Sequence, residues 1–291
     1  MTPEASVIIP TYDDWHVLQG CLDCLAGQTV ALDRFEVIIA NNNPTSDIPA
    51  DLLLPANARF IHVAKPGSYA ARNAALREAR GDALFFTDSD CLPDRLWIEN
   101  GLAALAGLRP IDRIAGGIEM FPNGETWTWT ELYDRTHSIR QPLYVEEGWC
   151  ATANLVTRRA AFDLVGLFNE DTFAFGDSEW GKQAKELGSH IILSQATLIR
   201  HPARGSFAAI AKKARRITGN RHQLEVASGK RKRMTVSYLL PHAPALGRIA
   251  RDDSLSEADK LRVMWVQYRL SLVIFVELFR LRYLSATPQR S

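Results

Sequence analysis

Residues 81–90 read GDALFFTDSD and join a short apolar run to two closely spaced carboxylates. The apolar part predicts a buried strand, and Asp88 and Asp90 follow it directly. Two carboxylates one residue apart reach one cation only if the chain turns there. Hard cations such as Mg²⁺ and Mn²⁺ commonly bind one or two carboxylates plus substrate phosphates. The alternative is a pair of solvated turn aspartates, with Asp90 capping a helix that starts at residue 93.

The sequence before this run repeats a strand-and-helix pattern. Short apolar runs occupy residues 6–10, 35–40 and 59–63, and helical patterns occupy residues 14–26 and 69–80. Such alternation predicts the α/β class, with a mostly parallel, Rossmann-like sheet covered by helices on both faces. Ligands collect beyond the carboxyl ends of such strands. We therefore expect three polar clusters to share one sheet edge, and these are residues 11–13, 41–43 and 88–90.

Length and composition are those of an ordinary globular chain. The 291 residues are 46% hydrophobic and 23% charged, with a net charge of +1, so the chain has ample material for a core. Residues 121–150 have weak periodicity. Further helices are expected at 93–106, 159–165 and 177–187 and strands at 114–120, 190–193 and 196–200. The sequence predicts a catalytic domain over residues 1–205 and a basic helical extension over residues 206–291.

The cysteines and the N-terminus indicate a cytoplasmic protein. Cys21 and Cys24 form a C-x-x-C within a predicted helix, but no second pair follows at zinc spacing, so free thiols in a reducing compartment are expected. The first residues lack the basic and apolar segments of a secretory signal.

Six segments, taken in order, resemble the family 2 glycosyltransferases, which have the GT-A fold. They are VIIPTY at 7–12, EVIIANNN at 36–43, GSYAARNAA at 67–75, GDALFFTDSD at 81–90, ANLVTRRAAFDLVGLF at 153–168 and FGDSEW at 175–180. These segments are similar to the family's P-T-Y strand end, nucleoside-binding turn, A-R-N helix, D-x-D, R-R-x-x-F block and E-D-x-D/E motif. The resemblance covers residues 5–205.

The resemblance implies an inverting hexosyltransferase of cell-envelope polysaccharide biosynthesis. It would move a sugar from a nucleoside diphosphate, with a UDP-sugar as the expected donor, to a hydroxyl of a glycan or lipid-linked acceptor. The cofactor would be Mn²⁺ or Mg²⁺. Asn41 stands where the family usually has aspartate. Because an amide both accepts and donates hydrogen bonds, the identity of the donor's nucleobase is less well defined. The implied nucleotide-sugar-binding residues are Pro10, Thr11, Tyr12, Asp13, Asn41, Arg72, Asp88 and Ser89.

The resemblance also implies the metal ligands. Asp90 would bind the cation directly, Asp88 would contact the ribose or the cation's water shell, and His201 would complete the site. An ordinary histidine at a strand end is the alternative for His201, and a surface arginine is the alternative for Arg72.

Asp177 is the predicted general base. A position in the first turn of a helix would keep its carboxylate ionised and able to take the acceptor proton. Glu179 is the rival base, but two positions along a helix it points elsewhere and more plausibly orients the site. Gly176 stands where the family has glutamate, and a simple helix N-cap is the alternative for Asp177. Trp149 and Trp180 are expected on the acceptor side, although such rings equally fill cores.

The C-terminal third is strongly basic. Residues 200–233 contain eleven Lys or Arg residues against Glu225 alone, which suits phosphate-bearing lipid or an anionic membrane face. Nucleic acid is the competing partner, but no nucleic-acid module surrounds the block, and none is expected to bind. Residues 261–284 are helical and apolar-rich, with no uncharged stretch near the roughly 20 residues of a membrane span. This helix would pack on the catalytic domain, form a homodimer or lie in the membrane interface. In the last case the protein would be peripheral on the inner face of the plasma membrane.

Two other functions compete. A sugar-phosphate nucleotidyltransferase also uses carboxylate-bound Mg²⁺, but it would have a glycine-rich phosphate loop with a basic residue near the N-terminus, which residues 10–13 lack. A non-catalytic sugar-nucleotide-binding scaffold at the membrane would not need Asp88, Asp90 and Asp177 together.

Overall fold

The computed structural model describes residues 2–43, 45, 48–229, 239, 243–284 and 286–288. The chain divides into two compact units, one of Met1–Met120 with Arg140–His201 and one of Phe121–Ile139 with Pro202–Ser291. The predicted functional division at residue 205 stays a prediction. Residues 230–233, the end of the predicted basic block, lie outside the described residues.

The strands form one mixed, mostly parallel sheet, as predicted. Its order is β3-β2-β1-β4-β7-β6-β8-β5. Strands β1 to β4 run parallel, whereas β7 is antiparallel to β4 and β6, and β5 is antiparallel to β8. The strands are β1 (Ala5–Thr11), β2 (Phe35–Asn41), β3 (Ala58–His62), β4 (Ala83–Phe86), β5 (Leu92–Pro93), β6 (Arg113–Phe121), β7 (Leu155–Arg158) and β8 (Ile191–Pro202).

The helices largely follow the predicted pattern. They are α1 (Trp15–Ala26), α2 (Ser68–Glu78), α3 (Trp97–Ala106), α4 (Trp129–His137), α5 (Gln141–Glu147), α6 (Arg159–Val165), α7 (Gly176–Glu186), α8 (Phe207–Ala227), α9 (Ala243–Ala250) and α10 (Glu257–Tyr283). The helix expected from residue 93 begins at Trp97, because Leu92 and Pro93 pair with β8. The two strands expected at 190–193 and 196–200 are one continuous strand, β8.

Both faces of the central strands are buried, which explains their continuously apolar sequences. On one face Val7 and Val37 pack with Leu22 of α1. On the other, Ile8 packs with Ala75 of α2. Because successive side chains of a strand point to opposite faces, a strand that is buried on both faces has apolar residues on both. The buried polar residues Ser6 and Glu36, near the strand starts, are hydrogen-bonded to each other. All four cysteines are free thiols, as predicted.

The second unit has its own core, formed by residues of α4, α8, α9 and α10. In it the buried carboxylate of Asp134 accepts hydrogen bonds from the backbone N–H and the guanidinium of Arg204. Burial opposes ionisation of Asp134, but the charges of Arg204 and Lys213 outweigh it and hold its pKa below the usual value. Within the part of the chain that the structure describes, every helix is too short or too polar to span a membrane.

Candidate active site

The carboxyl ends of three neighbouring strands form the site. Thr11 pairs with Asn41 across β1 and β2, and Ile8 pairs with Phe86 across β1 and β4. This register brings together the three polar clusters that follow the strands, as the alternation predicted. Thr11 and Asn41 are both buried.

The turn after β1 is held in an unusual backbone conformation. Asp13 has φ 58°, and its carboxylate accepts a hydrogen bond of 2.7 Å from Nδ2 of Asn43. The backbone N–H of Asn43 in turn donates to Oδ1 of Asn41 at 2.9 Å. Among the described non-glycine residues, only Asp13 and Phe175 have positive φ. Both adjoin the predicted site, and strained backbone of this kind concentrates at functional sites.

Four potential metal ligands converge after β4. The ligand atoms of Asp88, Asp90, Cys91 and His201 all lie within 4.8 Å of one another. His201 Nε2 is 3.8 Å from Asp90 Oδ1. The strand β8 therefore delivers His201 to the D-x-D, as expected. Two carboxylates and an imidazole suit a divalent ion such as Mn²⁺, which takes oxygen and nitrogen ligands.

Cys91 is a member of this cluster that sequence reasoning missed. Its Sγ lies 3.9 Å from Asp90 Oδ1. Burial, and then the neighbouring charges of Asp88 and Asp90, raise the pKa of the Cys91 thiol well above its usual value. Ions such as Mn²⁺ and Mg²⁺ prefer oxygen and nitrogen to sulfur, so the carboxylates and the imidazole are the better ligands for them.

Arg72 connects the cluster to the rest of the site. Its buried guanidinium donates a hydrogen bond to Asp88 Oδ1, and it lies 5.7 Å from the centre of the Tyr69 ring. A surface arginine, the alternative considered above, is excluded by its burial, since Arg72 is only 4% exposed. Ser89, also buried, donates to Asp14 Oδ2 at 3.4 Å.

Three buried polar atoms at this edge have no hydrogen-bond partner among the described residues. They are Thr11 Oγ1, Thr87 Oγ1 and Arg72 Nε. Buried polar groups are nearly always hydrogen-bonded, so unpaired ones call for an explanation. A bound polar ligand would supply the missing partners.

Asp177 is the second residue of α7. Its Oδ1 accepts hydrogen bonds from Tyr69 Oη at 3.1 Å and from the backbone N–H of Ser178 at 2.9 Å. Its Oδ2 accepts from the backbone N–H of Thr152 at 3.4 Å. The N-cap position belongs to Phe175, so the alternative that Asp177 is merely the cap does not hold.

The expected effect of the helix dipole on Asp177 is outweighed. Burial raises the pKa of its carboxyl above the usual value, although the charge of Arg72 and the hydrogen bonds from Ser178, Tyr69 and Thr152 oppose the rise. The sequence had predicted a carboxylate that the helix N-terminus keeps ionised. A raised pKa, closer to neutrality, makes a stronger base once the proton is lost.

The remaining predicted residues lie in different surroundings. Tyr12 and Glu179 are exposed, and Glu179 accepts from Asn169 Nδ2 at 3.3 Å. Trp149 stacks on Tyr144 with ring centres 3.9 Å apart.

Trp180 is only 3% exposed and packs with Phe162 and Phe168. This burial favours the core-filling alternative for Trp180.

Tyr69 and Thr152 are contacts of Asp177 that sequence reasoning missed. A signal existed for Tyr69, because it precedes Arg72 by three positions on one helix and must share its face. Thr152 offered none, since its place depends on the antiparallel strand that follows it.

Comparison with known proteins identifies the family of this chain. Residues 6–166 match the model of the family named "Glycosyl transferase family 2". The chain is 30% identical over 223 residues to glycosyltransferase AglE of Haloferax volcanii, covering 74% of this chain and 72% of that protein. It is 26% identical over 219 residues to validoxylamine A glucosyltransferase of Streptomyces hygroscopicus subsp. jinggangensis, covering 64% of this chain and 50% of that protein. The chain belongs to glycosyl transferase family 2 and is a glycosyltransferase.

Solved structures support the same fold. The mannosyltransferase PcManGT from Pyrobaculum calidifontis, in complex with GDP-Man and Mn²⁺, superposes with a TM-score of 0.60 at 18% identity, over 98% of this chain and 89% of that one. S. aureus TarS 1–349 in complex with UDP superposes with a TM-score of 0.53 at 18% identity, over 96% of this chain and 91% of that one. These likenesses establish the GT-A fold.

Proposed function

We propose that this protein transfers a sugar, with inversion, from a nucleoside diphosphate to a hydroxyl of a glycan or lipid-linked acceptor, and that it uses Mn²⁺ or Mg²⁺. One observation carries the proposal. The metal-ligand cluster is linked to the part-buried carboxylate of Asp177 through the contacts of Arg72 and Tyr69.

The donor would occupy the edge formed by β1, β2 and β4. Thr11 and Asn41 would contact the nucleoside, and the hydroxyls of Thr11 and Thr87 would gain the partners that they lack. The similar structures hold GDP-Man or UDP. We propose UDP for this chain, with the amide of Asn41 as the residue that decides the base.

Asp90, Asp88 and His201 would hold the cation. When bound, the ion would offset the negative charge that develops on the diphosphate leaving group. Arg72 would add to this, because its Nε lacks a partner and a guanidinium can bind phosphate through several N–H groups at once.

Asp177 would act as the base. Its Oδ1 already accepts two hydrogen bonds, whereas Oδ2 accepts only the long one from Thr152. Oδ2 would take the proton of the acceptor hydroxyl while that oxygen attacks the anomeric carbon and the bond from carbon to diphosphate oxygen breaks. Attack from the face opposite the leaving group inverts the anomeric configuration. Tyr69 would hold the carboxylate in place.

We also propose that the acceptor belongs to cell-envelope synthesis and that the protein works at the inner face of the plasma membrane. The names of two relatives support this, a poly(ribitol-phosphate) beta-glucosyltransferase and an O-antigen biosynthesis protein. The basic sequence of the second unit suits an anionic surface.

Thermal unfolding with and without Mn²⁺ tests the proposed function. UDP, GDP and their sugars are added one at a time, because a ligand that binds the native state raises its melting temperature. We expect a shift with one nucleoside diphosphate that requires Mn²⁺ and that Asp90→Asn abolishes. Asp163→Asn, which removes an exposed carboxylate of α6, is the matched control and should behave as wild type. If no nucleotide or nucleotide sugar gave a metal-dependent shift in melting temperature, the proposal would be overturned.

A further inference from the structure

The long helix α10 has two apolar faces. The inner face contributes Val263, Val266 and Leu270 to the core of the second unit. The outer face has a row of apolar side chains at spacings of three or four residues, here called the outer stripe. The outer stripe consists of Leu261, Trp265, Tyr268, Leu272, Val276, Phe279 and Tyr283.

The outer stripe is open to solvent along most of the helix. Leu261 is 69% exposed, Trp265 52%, Val276 55%, Phe279 44% and Tyr283 60%. Scattered exposed apolar residues are normal in a globular protein, but a continuous row marks an interaction surface. Because one helix cannot turn both apolar faces to the same core, the outer stripe needs a different partner.

The composition of the stripe is that of a lipid interface. Trp265 and Tyr268 lie with ring centres 6.0 Å apart, and Phe279 and Tyr283 lie 5.2 Å apart. Amphipathic rings of this kind are enriched where apolar and aqueous phases meet. The stripe extends about 33 Å along the helix, and helices that lie in a membrane plane bury one such face.

Charge favours an anionic lipid surface over a second copy of the chain. The sequence of the second unit contains 19 Lys and Arg residues against nine Asp and Glu residues. Arg269 is exposed beside the stripe, and Glu277, the one acidic residue within 261–283, is 1% exposed. Two copies meeting through the stripe would therefore bring two basic units together, since Glu257 and Asp259 at the start of α10 are already paired with Lys260 and Arg262. Anionic headgroups would supply the opposite charge.

We propose that the outer stripe of α10 is the surface by which this protein docks on an anionic lipid bilayer. The proposal rests on the proposed function for its purpose, since docking would bring a lipid-linked acceptor to the enzyme. Its test needs neither donor nor transfer.

Flotation with lipid vesicles tests the docking surface. Full-length protein is mixed with vesicles of phosphatidylcholine alone or with about one third phosphatidylglycerol, in about 0.1 M and 1 M salt, since salt screens surface charge. We expect wild type to float with the anionic vesicles at low salt and poorly otherwise. The variant Trp265→Ser with Phe279→Ser should bind at least about 10-fold more weakly.

A matched control removes two exposed leucines from the first unit. Leu53 and Leu187 are 72% and 46% exposed, and Leu53→Ser with Leu187→Ser should float like wild type. Melting temperatures establish that both double variants are folded. Asp90→Asn should also float like wild type, so loss of donor binding and loss of docking are separable.

Three results would overturn the proposal. Wild type could fail to float with anionic vesicles, or the Trp265/Phe279 variant could float as well as wild type. In the third, light scattering shows that wild type is a dimer and that the Trp265/Phe279 variant is a monomer, and neither protein binds vesicles. The outer stripe would then be an interface between two copies of the chain.

Discussion

Near the two ends of the same sheet, the pKa values of two carboxyl groups, Glu36 and Asp177, are shifted in opposite directions. At the amino end, Glu36 of β2 is 3% exposed and accepts hydrogen bonds from Ser6 Oγ at 2.8 Å and from the backbone N–H of Arg80 at 2.6 Å. Burial opposes its ionisation, but the N–H of Arg80, the hydroxyl of Ser6 and the charge of Arg80 outweigh burial and hold the pKa of Glu36 below its usual value.

At the carboxyl end of the sheet, several buried polar atoms lack hydrogen-bond partners among the described residues. Thr11 and Thr87 have buried hydroxyls without partners among the described residues, and Arg72 has an unpaired Nε. Burial raises the pKa of Asp177 in spite of its hydrogen bonds. One end of the sheet therefore satisfies its polar groups and stabilises the fold. The other leaves buried polar atoms without partners among the described residues, and we propose that a ligand supplies these partners.

The largest expected effect is that of Asp90→Asn. Replacing this carboxylate removes a charged metal ligand, and because a bound metal contributes several kcal/mol to stabilising the leaving group, the transfer rate should fall by about 10³-fold or more. The rate is measured with the donor found by thermal unfolding, at saturating Mn²⁺. Asp163→Asn serves again as the control. A rate within tenfold of wild type would show that Asp90 does not hold the metal.

At the amino end the expected effect is on stability alone. Glu36→Gln should lower the free energy of unfolding at pH 7 by about 2 kcal/mol, because hydrogen bonds to a charged, buried group are lost. Chemical denaturation measures it. The donor-induced shift in melting temperature should not change.

The same variant has a defined pH dependence. Since the folded-state pKa of Glu36 is lowered, its stabilisation is present above the unfolded-state value of about 4.3 and is lost as the pH falls through the folded-state value. The difference between wild type and Glu36→Gln should therefore shrink in acid. Glu78→Gln, at an exposed residue whose pair with Arg59 is 3.7 Å long, is the control. Equal stability of wild type and Glu36→Gln at pH 7 would contradict the contrast between the two ends.

The parallel half of the sheet was predictable from the sequence, and the antiparallel half was not. The strands β1, β2 and β4 are buried on both faces, so beyond Ser6 and Glu36 each is an apolar run that leads into polar residues. By contrast, β5 has only two residues, and the polar residues Ser194 and Gln195 divide β8 into two shorter apolar runs.

The helices α4 and α5, within residues 121–150, were not predicted from the sequence. The helix α4 is held by a capping box between Thr128 and Glu131, and it packs on α8 and α10, which lie far along the chain. It has only nine residues, and few of them are apolar, so its pattern was not recognised within the polar sequence around it. The packing that stabilises it is long-range, and such partners cannot be identified from a local pattern.

The residues of the candidate site that belong to sequence motifs could be predicted. The contacts between residues far apart in the chain could not. Asp88, Asp90 and His201 meet as the resemblance implied. The position of Tyr69 on the same helix face as Arg72 could be inferred, but its contact with Asp177 could not, because Asp177 lies far along the chain. The raised pKa of Asp177 depends on burial, which no local motif encodes.

The smallest expected effect concerns Tyr69. Its hydroxyl lowers the pKa of Asp177 by hydrogen bonding, so Tyr69→Phe should raise that pKa further. The acidic limb of the pH–rate profile should move to higher pH by about 0.7 unit, and the rate at low pH should fall about fivefold, in keeping with one hydrogen bond of about 1 kcal/mol. Tyr133→Phe, whose hydroxyl contacts Gln267, is the control. An unchanged profile would mean that Tyr69 does not tune the base.

The measurement that tests the central claim most directly is the transfer rate of Asp177→Asn at saturating donor and Mn²⁺. We expect the donor to raise the melting temperature of this variant as it does for wild type, while transfer falls by about 10²- to 10³-fold because the base is missing. Donor binding that persists without transfer would show that the carboxyl end of the sheet separates leaving-group stabilisation from proton removal. Transfer within tenfold of wild type would contradict the account.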